Sequence, residues 1–156
     1  MSPNSRSERR VAAAALALTL AAGAASAADP EPRNIIRSAA EHPWKRQSPE
    51  LPTQLTLLWG DRDRDGTFGQ LVRMPPGFDS GLHAHSGDYH GVLVSGTWVH
   101  VDAKGAGADV KLGPGSYVRQ AGGEMHIDRC VSQEPCVLFT FQYARADVIW
   151  PPKPQP

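Results

Sequence analysis

Apolar and polar residues alternate along most of the chain between residues 53 and 143. Successive side chains on a strand project from opposite faces, so a period of two predicts β-strands with one buried face. Glycine or proline stands at nearly every junction, and no segment has a sustained helical period. The predicted strands are TQLTLLW (53–59), TFGQLVRM (67–74), GLHAH (81–85), DYHGVLVS (88–95), TWVHVD (97–102), DVKL (109–112), SYVRQ (116–120), EMHIDR (124–129) and VLFTFQY (137–143).

The first 27 residues have the composition of a secretory signal peptide. Three arginines lie among the first ten residues, an Ala/Leu-rich run covers 11–25, and Ala25-Ser26-Ala27 is a small-x-small cleavage site. We expect cleavage after Ala27 and a periplasmic or secreted protein. A membrane anchor is the alternative, but the apolar run is short for a membrane crossing.

The polypeptide that follows the predicted signal peptide is long enough for one domain. Its length of about 130 residues is typical of a single domain with one core. We place this domain at residues 53–147, after an irregular arm at 28–52 and before a Pro-rich tail at 148–156. Short strands separated by turns predict an all-β sandwich or barrel.

The charge balance excludes two classes of partner. Removing residues 1–27 takes three arginines and one glutamate from 16 basic and 16 acidic side chains, which leaves a net charge near −2. Such a chain has no electrostatic attraction to nucleic acid, nor to an anionic membrane after signal cleavage.

The chain has two cysteines, Cys130 and Cys136, in CVSQEPC. In an exported protein a close pair of cysteines indicates a disulfide across a turn. The alternative is that Cys130 stays free and faces a pocket.

Two histidines lie two residues apart in GFDSGLHAHSGDYHGVLVSG, which runs from Gly77 to Gly96. On a strand, the imidazoles of His83 and His85 project from one face and form half of a transition-metal site. The third donor has to come from elsewhere, and His126 in AGGEMHIDRC is the candidate.

These segments resemble the two sequence motifs of the cupins. The first motif has a Gly, five residues, His-x-His, three or four residues, a Glu, six residues and a Gly. Gly77, His83, His85 and Gly96 occupy their places in it.

The second cupin motif has a Gly, five residues, Pro-x-Gly, two residues, a His, three residues and an Asn. Gly115, Gly123 and His126 match it, whereas Ala121 replaces the Pro and Cys130 stands at the Asn position. More narrowly, the chain resembles small single-domain cupins that are exported.

The resemblance implies a single cupin barrel, which is a double-stranded β-helix or jelly-roll of two packed antiparallel sheets. It also implies that His83, His85 and His126 hold a metal ion near one mouth of the barrel. A divalent transition metal is expected, and iron, manganese, zinc and nickel all suit imidazole ligands.

The Glu of the first motif is missing. One permitted spacing puts Tyr89 in its place, and the other puts His90 there. Tyr89, Gly91 and Leu93 share the inward face by strand alternation, so we expect His90 to point away from the metal. Tyr89 is then a metal ligand, or a hydrogen-bond partner of a bound water or substrate.

His100 shares a face with Trp98 on TWVHVD. A ligand, a general base, a wall of the pocket and an outward-facing side chain are the alternatives for it. We take Tyr89 and His100 as the candidate catalytic residues, which position substrate or transfer protons. The predicted pocket walls are Trp98, Leu93, Met125, Phe139 and Phe141, with Gln120, Gln142 and Arg119 as polar contacts.

The resemblance implies a small-molecule dioxygenase or a related metal-dependent enzyme, which is an oxidoreductase in the first case. A non-catalytic module that binds or senses a metal or small molecule is the alternative, and a metal-free structural barrel is the third hypothesis. Because exposed strand edges need covering and cupins often pair through them, a homodimer is consistent with the sequence.

Overall fold

The computed structural model describes residues 34–152, so the predicted signal peptide at residues 1–27 lies outside the described residues. The chain divides into a unit from Met1 to Ile36 and a unit from Arg37 to Pro156. Every strand that the structure describes lies in the second unit. Among the residues that the structure describes, no helix has the length and hydrophobicity that a membrane crossing needs.

Eight strands and one turn of 3-10 helix, Ala39–Glu41, make up the regular structure of residues 37–152. The strands are β1 (Lys45–Arg46), β2 (Gln54–Trp59), β3 (Phe68–Met74), β4 (Tyr89–Ser95), β5 (Trp98–Asp102), β6 (Tyr117–Gln120), β7 (His126–Cys130) and β8 (Cys136–Gln142).

The strands form two antiparallel sheets. One has six strands in the order β1-β2-β3-β8-β4-β6, and the other pairs β5 with β7. The sheets share a core, because Met74, Leu93 and Leu138 of the larger sheet pack with Trp98 and Cys130 of the smaller one. This arrangement confirms the predicted all-β, jelly-roll-like fold.

Two of the predicted strands form only isolated bridges. In GLHAH, His83 pairs with His126 while Ala84 pairs with Ile149, and in DVKL, Leu112 pairs with Trp98. A ladder needs consecutive residues paired with one partner strand. Neighbouring residues of GLHAH have different partners, so no ladder develops.

Cys130 and Cys136 form a disulfide, with their Cα atoms 5.6 Å apart. The bond joins the end of β7 to the start of β8 and therefore ties the two sheets together. Of the two alternatives from the sequence, the disulfide is the one that the structure contains.

The disulfide also fixes which face of β8 points inward. Because Cys136 points towards the other sheet, the alternate residues Leu138 and Thr140 are buried with it. Phe139 and Phe141 therefore lie on the outer face, where their ring centroids are 5.7 and 6.2 Å from that of Trp59. The prediction that these two phenylalanines line the pocket is wrong.

Candidate metal centre

A cavity of about 110 Å³ lies beside His83 and His85, which are two of the three predicted ligand residues. His83, His85, Tyr89 and Asp128 contribute to its lining. The remaining walls come mainly from inward-facing residues of β3 and β8 and from the loops around them: Gln47, Leu51, Thr53, Arg62, Gln70, Val72, Met74, Phe78, Ser80, Leu138, Thr140, Gln142, Ala146, Asp147, Val148 and Trp150.

The three histidines come together through the backbone. The His83 amide donates to the His126 carbonyl at 3.0 Å, and the His126 amide donates to the His83 carbonyl at 2.7 Å. Their ring centroids are 4.3 Å apart, and that of His85 lies 5.0 Å from His83 and 5.4 Å from His126. The two distant parts of the chain therefore meet as the sequence predicted.

Hydrogen bonds to backbone carbonyls orient all three imidazoles. A carbonyl oxygen can only accept, so each bonded Nδ1 carries the proton and Nε2 keeps its lone pair. The acceptors are the carbonyl oxygens of Gly81 for His83, Asp147 for His85 and Glu124 for His126. Such bonds fix the tautomer in which imidazole binds a metal.

The donor set fits one transition-metal ion. One ring nitrogen from each histidine lies within 4.8 Å of the other two. Two nitrogens at about 2.1 Å from one ion are separated by at most about 4.2 Å, so a small adjustment of the rings brings all three into range. Burial lowers the pKa of His83 and of His85, which favours the neutral form that binds metals.

Tyr89 lies next to this cluster. It is 5% exposed, and its hydroxyl donates to Nε2 of His126 at 3.4 Å. Burial first, and then the negative charge of Asp128, raise the pKa of Tyr89 well above its ordinary value. The side chain is therefore a neutral phenol.

His90 lies on the opposite face of β4, as predicted. Its ring nitrogens form hydrogen bonds with the hydroxyls of Tyr117 at 2.6 Å and Tyr143 at 3.2 Å. It therefore takes no part in the histidine cluster.

Asp128 is the residue of this site that was not predicted from the sequence. Its Oδ1 accepts hydrogen bonds from Nε1 of Trp98 and Nδ1 of His100, both at 2.8 Å, and its Oδ2 lies 3.5 Å from Nε2 of His126. Burial opposes its charged form, but the hydrogen bond from His100 and the attraction of that imidazolium outweigh burial and hold the pKa of Asp128 well below its ordinary value. A carboxylate thus faces the nitrogen lone pair of His126, and this pair of acceptors favours a cation between them.

His100 stands behind Asp128. Its Nε2 donates to Oε1 of Gln120 at 2.9 Å, because the amide nitrogen of Gln120 donates to the carbonyls of Ala121 and Glu124. Burial works against the charged imidazolium, but the bonds and attraction to Asp128 outweigh it and raise the pKa of His100. Neither ring nitrogen is left free to bind an ion.

The other predicted wall residues divide between the cavity, the core and the surface. Gln142 lines the cavity, whereas Leu93 and Trp98 pack in the core behind it. Arg119 is exposed and pairs with Asp88, so its prediction as a pocket contact is wrong. Met125 is half-buried and outside the cavity lining.

Residues 146–150 cover one side of the site. The Ala146 amide donates to the Arg62 carbonyl at 2.8 Å, and Ile149 exchanges two backbone hydrogen bonds with Ala84. The ring centroid of Trp150 lies 5.8 Å from that of His83. This segment therefore holds the His83–His85 turn against the cavity from outside the two sheets.

Residues 40–138 match the family described as a domain of unknown function, DUF4437. This match covers more than half of the chain. A comparison with proteins of curated description finds no match.

Solved cupin structures have the same fold. KdgF from Halomonas sp. is 20% identical, with a TM-score of 0.56 over 73% of this chain and 96% of that chain. An RmlC-like cupin from Shewanella frigidimarina is 12% identical, with a TM-score of 0.55 over 72% of this chain and 92% of that chain.

A third similar structure is the DMSP lyase DddQ from Ruegeria pomeroyi. It is 19% identical, with a TM-score of 0.54 over 69% of this chain and 58% of the lyase chain. At these identities the likeness establishes a common fold, and the chain folds as a cupin.

The Asp128–His100 pair gives a prediction about stability. Asp128→Asn removes the charge opposite a buried imidazolium, so we expect the free energy of unfolding to fall by about 2 to 3 kcal/mol. Asp79→Asn is the matched control, because Asp79 pairs with Arg129 at the surface, where such a change costs less than about 1 kcal/mol. Urea unfolding of both variants measures the difference, and equal losses would show that the buried pair has no special role.

Proposed function

This chain belongs to the DUF4437 family and folds as a cupin, and we propose that it is a mononuclear metal enzyme acting on a small molecule. The observation that carries the proposal is the convergence of three imidazoles whose Nδ1 atoms all donate to backbone carbonyls. His83, His85 and His126 hold the ion through Nε2. Iron, manganese, zinc and nickel are the candidate metals, since imidazole binds each of them.

When bound, the metal ion acts as a Lewis acid on an oxygen atom of the substrate. Tyr89 is the group of the chain that donates and takes back a proton there. Its hydroxyl is buried, protonated and 3.4 Å from a ligand nitrogen, within reach of a molecule bound beside the histidines. A proton donor in this position can protonate a substrate oxygen or a leaving group.

Two further functions stay as candidates. Three histidine ligands leave coordination positions of the ion free for substrate and dioxygen, so the site also suits an iron dioxygenase, which is the second candidate. Tyr89 stays a neutral phenol that can donate a proton, which favours Lewis-acid chemistry over reaction with dioxygen. In addition, one of the similar cupin structures is described as a lyase. The third candidate is a non-catalytic module that binds a metal or a small molecule.

Asp128 supplies the negative charge that the first motif lacks. A carboxylate beside three neutral imidazoles offsets part of the charge of a divalent ion, which is the electrostatic role of the Glu ligand in the motif. His100 is a positioning residue, because it holds Oδ1 of Asp128 and leaves Oδ2 directed at His126. Gln120 in turn orients His100.

Export of the protein is part of the proposal. The arginines, the apolar run and the Ala25-Ser26-Ala27 site at the start of the chain support it. The Cys130–Cys136 disulfide gives separate support, since structural disulfides persist in oxidising compartments such as the periplasm.

Replacing His126 tests the metal site. The purified His126→Ala variant should contain no transition metal, because two histidines alone bind a metal ion weakly. The wild type should contain one ion per chain. His90→Ala is the matched control and should keep the metal, since His90 lies on the outer face of β4. Elemental analysis by mass spectrometry measures the content, and His85→Ala repeats the test at a less buried position. A metal-replete His126→Ala protein refutes the proposed ligand set.

Replacing Tyr89 tests whether the phenol is a ligand. We expect iron(III)-loaded protein to have no visible phenolate-to-iron absorption band, because burial raises the pKa of Tyr89 and so disfavours the phenolate that a ligand would have to be. Tyr89→Phe should keep the metal. Once a substrate is identified, the variant should turn it over about 100-fold or more slowly than the wild type does. A visible band that disappears in Tyr89→Phe would instead make Tyr89 a ligand.

Export is tested on the mature chain. Expression in a bacterium with a periplasm should give a periplasmic protein that begins at Ala28, since cleavage follows the small-x-small site. Intact-mass measurement of the periplasmic fraction identifies the first residue. Retention of residues 1–27 in the cytoplasmic or membrane fraction argues against export.

A further inference from the structure

Three side chains that line the cavity have buried polar atoms without a hydrogen-bond partner among residues 34–152. These atoms are Nε of Arg62, Oε1 of Gln70 and Oγ1 of Thr140. Gln70 is 4% exposed and Thr140 is 6% exposed. Buried polar groups are nearly always hydrogen-bonded, so three unpaired groups around one cavity indicate a polar ligand.

The sheet places two of these groups side by side. Gln70 of β3 and Thr140 of β8 are direct partners in the antiparallel register, so their side chains project from the same face of the sheet. That face is the inward one, because both residues line the cavity that contains His83 and His85. An amide and a hydroxyl thus lie side by side in the wall of the cavity.

Arg62 contributes a cation at the same cavity. Its side chain is half-buried and has no ion pair or hydrogen bond with any side chain between residues 34 and 152. Arg64, two residues on, pairs with Asp61, and Arg119 and Arg129 pair with Asp88 and Asp79. A guanidinium stays charged in proteins, and its fork of donors matches a carboxylate.

Neither of the two carboxylates that line the cavity forms an ion pair with Arg62 in the described part of the chain. Asp128 is paired with His100, and Asp147 accepts a hydrogen bond from the Ser86 amide near the surface. A divalent ion on three neutral histidines adds further positive charge. The cavity with its ion therefore attracts an anion.

We infer that the cavity binds a small organic carboxylate, whose carboxylate group pairs with Arg62 while Gln70 and Thr140 form hydrogen bonds with a second polar group. The rest of the ligand extends towards the histidines. The placement of this part of the ligand rests on the proposed metal site, whereas the pairing of its carboxylate with Arg62 does not. The cavity volume of about 110 Å³ suits a ligand of a few non-hydrogen atoms. A small carboxylate is thus the expected substrate class.

Glycolate and its neutral isostere glycolamide test the inference, since they differ mainly in charge. Isothermal titration calorimetry of the purified, metal-loaded protein should show glycolate binding, with glycolamide at least about 10-fold weaker because a charged partner strengthens the bond to arginine. Arg62→Gln should weaken glycolate binding by about 10-fold to 100-fold. Arg64→Gln is the matched control and should leave it unchanged, since Arg64 is exposed and lies outside the cavity lining.

Thr140→Val gives a second test that does not alter charge. It removes an unpaired buried hydroxyl, so the ligand-free variant should melt at the same temperature or higher while it binds glycolate about 10-fold more weakly. Any of three results would overturn the inference: the wild type does not bind glycolate, it binds glycolate and glycolamide equally well, or Arg62→Gln binds glycolate as tightly as the wild type does. Metal content is measured on the same samples. A protein without metal contradicts the proposed function, and the comparison of glycolate with glycolamide still decides the role of Arg62.

Discussion

The site depends on one pair of backbone hydrogen bonds, those that His83 and His126 exchange. They join the segment before β4 to the start of β7, so ligands from the two sequence motifs meet without help from their side chains. Ala84 and Ile149 form a second bridge on the other side of the turn. Because backbone bonds bring the imidazoles together, the donor set is formed by the fold before any ion binds. The carbonyls of Gly81, Asp147 and Glu124 then select the tautomer.

Charge is the second constraint on the site. A buried carboxylate costs free energy unless it is paired, and Asp128 is paired with His100 and hydrogen-bonded by Trp98. This pairing leaves Oδ2 facing His126 beside the histidine cluster. The missing Glu of the first motif is thus matched by a carboxylate that follows the histidine of the second motif. Tyr89, in the place of that Glu, is kept neutral by burial next to Asp128.

The strand pattern predicted the all-β fold and the pairing of His83 with His85 because both follow from local spacing, whereas the place of His126 in the cluster followed from the resemblance to the cupin motifs. A period of two placed His83 with His85, and Tyr89 on the face opposite to His90. The same rule could have placed Asp128 beside His126, two residues away on one strand. It failed for Phe139 and Phe141, since alternation gives two faces without saying which is buried. The inward face of β8 is set by the disulfide at Cys136, which ties this strand to β7 of the other sheet.

Tertiary contacts explain the rest of what sequence could not predict. Residues 146–150 have no strand pattern, and they reach the site through isolated bonds to Arg62 and Ala84. Anomalous X-ray diffraction from crystals of the purified, metal-replete protein tests the three-histidine centre most directly. We expect one peak at about 2.0 to 2.3 Å from Nε2 of His83, His85 and His126. A peak bound by other residues, with these three imidazoles free of metal, would contradict this centre.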